Sequence, residues 1–552
     1  MYVAKIKSRS SSGKIHYATL IRQSYREGKK VKSRTIAHIS KLSDQQISAI
    51  KLALNLQDKM QSFPENPLEC MTLRQGKRVG ALWALRQVAD QLGIINALGD
   101  DRPGKLALWQ VMARLMGQGS RLSAVRLAEH HACCEIIGLK EGLQEDCLYD
   151  NLAWITKRQV AIEKELFRKR YGDSSPHLFL YDVTSSYLEG ENNALADYGY
   201  NRDKKRGKKQ LVIGLLCGPD GDPVAVRVFE GNTPDTATVS EQTRLLVEEF
   251  GIKEVTLVGD RGMLKTPQIE ALPEGFTYLS AITKPQIRKL LKTGILQMEL
   301  FEETVAQVET EGIRYLLRRN PKRAAELQKN RDAKRQSLEE LLLEKNQYLR
   351  EHPRARPATA ERNLEKRIKK LKLEKWISTR LEGRKLHLEE DNKALEEMEK
   401  LDGCYVLKTD IPTEASDAQS LHDRYCDLEK VEQAFREMKT AHLEIRPVYV
   451  RKEESTRAHV FVVMLAYLIR RRLAAAWREI NMTVEEGIEQ LSHLSSIRVE
   501  IEGEIAYERI SRPDEKSERL LKRLGVELPE MLTPNRSRVG TIRKLPERRK
   551  SQ

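Results

Sequence analysis

Three acidic residues stand where one site could collect them. Asp182 ends the apolar run His177-Leu178-Phe179-Leu180-Tyr181, and Asp260 follows Val255-Thr256-Leu257-Val258-Gly259. Both runs read as buried strands, so each leaves a carboxylate at a strand end. Glu432 lies in a helical stretch, 425–439, of sequence Tyr-Cys-Asp-Leu-Glu-Lys-Val-Glu-Gln-Ala-Phe-Arg-Glu-Met-Lys. Two strand-end carboxylates and one helix carboxylate supply hard oxygen ligands on a rigid scaffold. That is the donor set a pair of divalent ions needs for phosphodiester chemistry.

The arithmetic of the 425–439 stretch separates two faces. At about 100° per residue, Val431, Ala434, Phe435 and Met438 share an apolar arc, while Tyr425, Glu432, Arg436 and Lys439 fall on a narrower arc at its edge. Read as one helix, the stretch is anchored by the first face. The second then presents a phenol, a carboxylate and two cations along about 20 Å. A carboxylate that holds metal beside cations that hold phosphate suits the cutting of DNA. Taken alone, the pattern also fits an ordinary amphipathic helix with i,i+4 charge pairs; the two strand-end aspartates weigh against that reading.

The elements that must position these groups follow from periodicity. From 177 to 282 the order is strand (178–184), strand (210–217), strand (224–229), helix (238–250), strand (254–258), short helix (266–271) and strand (276–282). Three hairpin-linked strands, then helix, strand, helix and strand, is the order of a ribonuclease-H-like α/β core, in which the first and fourth strands lie side by side. Residues 285–402 interrupt this core with two charged helices broken by His352-Pro353-Arg354-Ala355-Arg356-Pro357. Neither helix shows a wide apolar face, so they are expected to pair as a hairpin projecting from the core. Strand-like pieces at 301–308 and 383–388 flank them.

The expected organisation is therefore six regions. Residues 1–60 form a basic β-hairpin around Arg26-Glu27-Gly28, and 61–175 an α-helical domain suited to DNA-end binding. The catalytic core occupies 176–284 and 403–475 on either side of the mainly helical insertion at 285–402, and 476–552 is a basic C-terminal region. At 552 residues the chain needs roughly two to four domains. A net charge of +16 makes a polyanion the first partner to consider. Seven cysteines without Cys-x-x-Cys spacing indicate neither a disulfide framework nor a zinc ribbon. The longest apolar run, 458–469, is too short for a bilayer and ends in three arginines, so no membrane partner and a cytoplasmic, nucleoid-associated location are expected.

These acids and the 425–439 stretch resemble the DDE transposases of bacterial insertion sequences, in the branch with a Tyr-x2-Arg-x3-Glu-x6-Lys signature. Tyr425, Glu432 and Lys439 match that spacing, and Leu428 stands at the Arg position, leaving Arg436 and Arg424 as candidates for the missing charge. The likeness extends to Tyr181-Asp182-Val183-Thr184-Ser185, Gly231-Asn232-Thr233-Pro234-Asp235, Gly259-Asp260-Arg261-Gly262 and Arg446-Pro447-Val448-Tyr449. The resemblance implies that Asp182, Asp260 and Glu432 are the catalytic metal ligands, holding two Mg²⁺ ions with Mn²⁺ as an alternative. It implies double-stranded DNA partners, both element ends and target, with phosphate contacts from Tyr425 and Lys439 and a homodimer in the paired-end complex. Trp376 is the one Trp of the insertion and a candidate to stack near a flipped base. The alternatives are a ribonuclease-H-like nuclease that cleaves without strand transfer, and a catalytically silent DNA-binding scaffold.

Overall fold

The computed structural model describes residues 1–9, 15–28, 30–55, 71–117, 119–172, 174, 176–190, 192–203, 205–439, 443–447, 450–501, 504–533, 535 and 537–541. Val448 and Tyr449 of the Arg446-Pro447 motif, and the last residues of the basic tail, lie outside these. The chain divides into two compact units, Met1–Gly76 with Ser495–Ser511, and Lys77–Leu494 with Arg512–Gln552.

In the first unit the expected hairpin, Ile15–Glu27 with Lys30–His38, is present and gains a third strand, Tyr2–Arg9, to make an antiparallel meander followed by a helix, Asp44–Asn55. Its second turn holds Gly28 at φ 63°, where a side chain would be strained. A second three-stranded sheet takes Ser495–Ile501 as its middle strand, between Met71–Arg78 and Glu504–Ile510. Residues 495–510 thus leave the expected C-terminal region to complete a sheet begun near residue 71, a long-range pairing that local periodicity does not reveal.

The second unit is organised by an eight-stranded sheet. Its strands are β1 (Leu178–Tyr187), β2 (Gln210–Cys217), β3 (Pro223–Phe229), β4 (Val255–Gly259), β5 (Phe276–Ala281), β6 (Ala306–Thr310), β7 (Ile313–Arg319) and β8 (Cys404–Thr409). In space they run β6-β7-β8-β5-β4-β1-β2-β3. β1 pairs antiparallel with β2 and parallel with β4, and β4 pairs parallel with β5. The β3-β2-β1-β4-β5 half is the ribonuclease-H-like order expected from the sequence.

The other half of the sheet draws two strands from the insertion, whose longest elements are helices. β8 pairs antiparallel with β5, β7 with β8 and β6 with β7, so part of 285–402 is core sheet. The Ile313–Arg319 segment hides this by its three arginines, yet Arg314 through Leu317 are buried. The Arg314 guanidinium sits in the interior because it donates to the carbonyls of Ile411, Pro412 and Ser416, at 3.0, 3.1 and 2.9 Å.

Six helices matter for the site: α1 (Glu145–Tyr171), α2 (Pro321–Glu351), α3 (Pro357–Leu371), α4 (Ala418–Cys426), α5 (Leu428–Lys439) and α6 (Glu453–Trp477). α2 and α3 do pair, with the proline-bearing segment between them. They are not coreless: Leu338, Leu349, Leu364, Ile368 and Trp376 form a cluster completed by Ile377 and Leu386 of a small hairpin, Ile377–Glu382 with Lys385–Glu390. The hairpin supplies the apolar surface the narrow helix faces lack. α6 buries its whole 458–469 run among the helices that precede the sheet, and among the described residues no helix is long and apolar enough to cross a membrane.

Helix α1 is fixed to the sheet by charge. Glu163 is fully buried and forms a two-pronged pair with Arg227 of β3, at 2.8 and 2.9 Å, while Gln159 donates to Glu163 at 2.9 Å. Removing one partner of such a pair strands the other charge in the interior. Glu163→Ala is therefore expected to destabilise the protein by about 3–5 kcal/mol, measured by chemical denaturation. An unchanged midpoint would mean that Arg227 finds another partner.

Candidate active site

The parallel pairing of β1 and β4 sets Leu178 opposite Thr256, Leu180 opposite Val258 and Tyr181 opposite Gly259. The next position in this register is Asp182 on one strand and Asp260 just past the end of the other. Neighbouring strands lie about 4.8 Å apart, so the two backbones deliver their aspartates side by side. Asp260 is exposed and accepts a hydrogen bond from the Arg261 N–H at 2.7 Å.

The third acid arrives on a helix whose form differs from expectation. Residues 425–439 are not one helix: α4 ends at Cys426, Asp427 turns, and α5 begins at Leu428. Asp427 pairs with Arg424 at 3.3 Å and with Lys430 at 2.8 Å, so the two helix ends are tied across the break. Tyr425 therefore stands on a different helix from Glu432, Arg436 and Lys439. Tyr425 instead reaches Asp260 from α4, its hydroxyl 3.5 Å from Oδ1. Within α5 the apolar face is as expected: Leu428, Val431, Ala434, Phe435 and Met438 are buried, while Glu432 and Arg436 are exposed. Arg314 holds the connection from β8 into α4 through its three carbonyl bonds, so the added strands help to aim this helix pair.

Asp182, Asp260 and Glu432 line one cavity of about 540 Å³ together with Arg261, Lys284, Tyr425, Leu428 and Glu429. Burial pushes the Asp182 carboxyl up to about 7; the negative charges of Asp260 and Glu432 add to the rise, against the Val183 N–H and Arg202. Burial likewise raises the Tyr425 phenol, with Asp260 contributing. Among the described residues no three His, Cys, Asp or Glu side chains are already drawn together as a finished metal site. The trio fits divalent ions by donor type, by placement around one cavity and by its poorly compensated negative charge.

The remaining expected residues fall in different places. Lys439 Nζ bonds the Ser185 carbonyl at 2.6 Å and pairs with Asp203 at 2.9 Å, tying α5 to the end of β1 and to the β1–β2 connection. Arg436 donates to Gln433. Trp376 is 3% exposed inside the α2–α3 cluster and is not among the cavity's lining residues. Arg446 stacks over the Tyr187 ring, 4.9 Å from its centroid. Three further cations escaped sequence reasoning: Arg261 on the cavity wall, signalled only by its place in Gly259-Asp260-Arg261-Gly262, Lys284 on the same wall, and Arg202, which pairs with Asp235. The Gly231–Asp235 motif thereby acts as a buttress. Asn232 donates to Asp197 at 2.8 Å, and Gln210 donates to the Gly231 carbonyl at 2.8 Å.

A sheet of this order with three carboxylates around one cavity defines a polynucleotidyl-transferase core. The chain belongs to the DDE transposase family: residues 173–469 match the model "Transposase DDE domain". Residues 3–66 match "IS1634 family transposase, N-terminal domain". It is thus a DNA transposase of insertion-sequence type, an enzyme class that uses divalent metal. No curated protein matches the sequence. Among solved structures, one slight likeness is to a piggyBac transposase synaptic complex with hairpin DNA, at 8% identity over 75% of each chain and a TM-score of 0.36.

The burial of Trp376 generates a prediction. Trp376→Ala is expected to cost about 3–5 kcal/mol of local stability, seen as faster hydrogen exchange across α2, α3 and their hairpin with β1 and β4 unaffected. Trp376→Phe should preserve both protection and DNA cleavage. Loss of cleavage in the Phe variant with protection intact would give the indole a part beyond packing.

Proposed function

We propose that this transposase cleaves DNA at the ends of its own element and joins them to target DNA, with Asp182, Asp260 and Glu432 as the ligands of two Mg²⁺ ions. The observation that carries the reading is the β1–β4 register, which sets two of the three acids side by side on the wall of a cavity that Glu432 also lines. When bound, such ions would activate water or a 3′-hydroxyl and stabilise the leaving oxygen, and Mn²⁺ would substitute. The rest of the work falls to the chain. Tyr425, beside Asp260, is suited to a phosphate close to the scissile bond. Arg261 and Arg436 offer guanidinium groups for the strand, Arg261 on the cavity wall and Arg436 exposed on α5; with Leu428 at the signature Arg position, Arg261 joins Arg436 and Arg424 as a candidate for the missing charge, Arg424 being paired with Asp427.

By the same reading the helices between 77 and 171 contribute to end binding, two copies of the chain assemble on paired ends, and the protein works on the nucleoid in the cytoplasm. The +16 net charge supports a polyanionic partner. Incubation with the DNA flanking the coding region, a target plasmid and Mg²⁺ tests the function. Joined products are expected; cleavage alone would favour a nuclease, and binding alone a scaffold.

Asp182→Ala, Asp260→Ala and Glu432→Ala should each reduce cleavage below detection while leaving DNA affinity unchanged in a band-shift assay. Cleavage retained by two of the three would reject the ligand assignment. Arg436→Ala is expected to weaken end binding and lower the slope of log affinity against log salt by about one unit. An unchanged slope would return α5 to an ordinary amphipathic helix.

A further inference from the structure

The connection from β1 to β2 holds the most exposed large apolar side chain among the described residues. Tyr200 is 83% exposed, and Tyr198, two positions earlier, is 62% exposed. Both stand in 197–209, Asp-Tyr-Gly-Tyr-Asn-Arg-Asp-Lys-Lys-Arg-Gly-Lys-Lys, which has six cations against two acids. Lys205, Arg206 and Lys208 are exposed, and none has a carboxylate partner among the described residues. Lysine 209 lies 6.0 Å from the Tyr198 ring, and Arg202 lies 5.9 Å from that of Tyr200.

The described residues of this segment are tied down. Asp197 and Gln210 exchange backbone hydrogen bonds at its mouth, at 3.1 and 2.9 Å. Between the two tyrosines the backbone presses on Gly231 so closely that a Cβ at Gly199 would lie 2.1 Å from the Gly231 carbonyl oxygen. The Arg202 N–H donates to Ser185 of β1 at 2.8 Å, and Asp203 holds Lys439 of the Glu432 helix. Rings and cations are thus presented from a base fixed to the two elements that carry Asp182 and Glu432.

We propose that segment 197–209 grips single-stranded DNA beside the active site, with bases stacking on Tyr200 and Tyr198 and phosphates held by Lys205, Arg206 and Lys208. Aromatic faces accept any base, and cations between them track the backbone, which is the chemistry of sequence-tolerant single-strand binding. Duplex DNA, whose bases are already stacked, would use the cations and leave the rings idle. The rigid base lowers the ordering cost of the grip. This rests on the transposase reading, since it assigns the segment to the strand whose end is processed.

The test uses the full chain and two element-end duplexes, one blunt and one carrying a short single-stranded thymidine tail. Wild-type protein should bind the tailed duplex on the order of tenfold more tightly. The double variant Tyr198→Ala, Tyr200→Ala should lose that preference while still binding and cleaving the blunt end, and the double Phe variant should keep it. Replacing Lys205, Arg206 and Lys208 by Ala should lower the salt slope on both probes. A tail preference that survives loss of both rings, or no preference in a wild-type protein that cleaves blunt ends, overturns the grip and leaves the transposase reading standing. Wild-type protein that neither binds nor cleaves either duplex overturns that reading and the grip with it.

Discussion

The parallel pairing of β1 with β4 is the constraint on which the site depends. Side chains alternate along a strand, so a slip of one residue would exchange the buried Phe179 and Tyr181 of β1 with their neighbours and turn Asp182 away from Asp260. The register is held by what the face opposite Asp182 buries. Phe179, Tyr181 and Val183 pack with Leu257, Val255 and Phe276 in one cluster, to which α1 adds Phe167. Moving the carboxylates apart would therefore require dismantling the core. The buried Glu163–Arg227 pair acts in the same direction, fixing α1 against β3 at the far edge of that half of the sheet.

The ribonuclease-H-like half of the fold was legible because its signals are local. Each of its five strands is a short apolar run closed by a turn, and the hydrophobic face of α5 emerges from simple helical arithmetic. The failures come from interactions that sequence spacing does not encode. The break at Asp427 has no Gly or Pro to announce it. Strand β7 stayed hidden because Arg314 reads as a surface residue until the carbonyls of Ile411, Pro412 and Ser416 are brought to it. The sheet around Ser495–Ile501 joins segments hundreds of positions apart, which no periodicity can show. Of the site residues, the two aspartates were readable from the apolar runs they follow, although β1 continues past Asp182 to Tyr187 and only Asp260 stands at a strand end. Arg261 and Arg202 were not, because single arginines in a strongly basic chain carry no signal of their own.

Polar contacts around the cavity divide into two kinds. Lys439, Asp203, Arg202 and Asp235 are half-buried and engaged with one another or with backbone, so they set geometry. Arg261, Arg436 and Glu432 are exposed. The Gly231–Asp235 motif belongs to the first kind: its conformation seats Gly199 and anchors Arg202, far in sequence from any acid of the trio. A short polar motif can thus owe its composition to a close backbone approach and a single ion pair.

The segment between β7 and β8 begins and ends at one point. Arg319 and Cys404 are partners across the antiparallel ladder, and the Asn320 N–H bonds the Gly403 carbonyl at 2.9 Å. In topology the whole α2–α3 body is a hairpin turn grown large. Each doubling of such a connection adds only about 0.6 kcal/mol of closure entropy, and this one offsets that cost with its own cluster around Trp376. A body joined in this way can lengthen, shrink or be exchanged over evolutionary time without disturbing the register that seats Asp182 and Asp260. It gives the fold a place to diversify at the edge of an otherwise unyielding sheet.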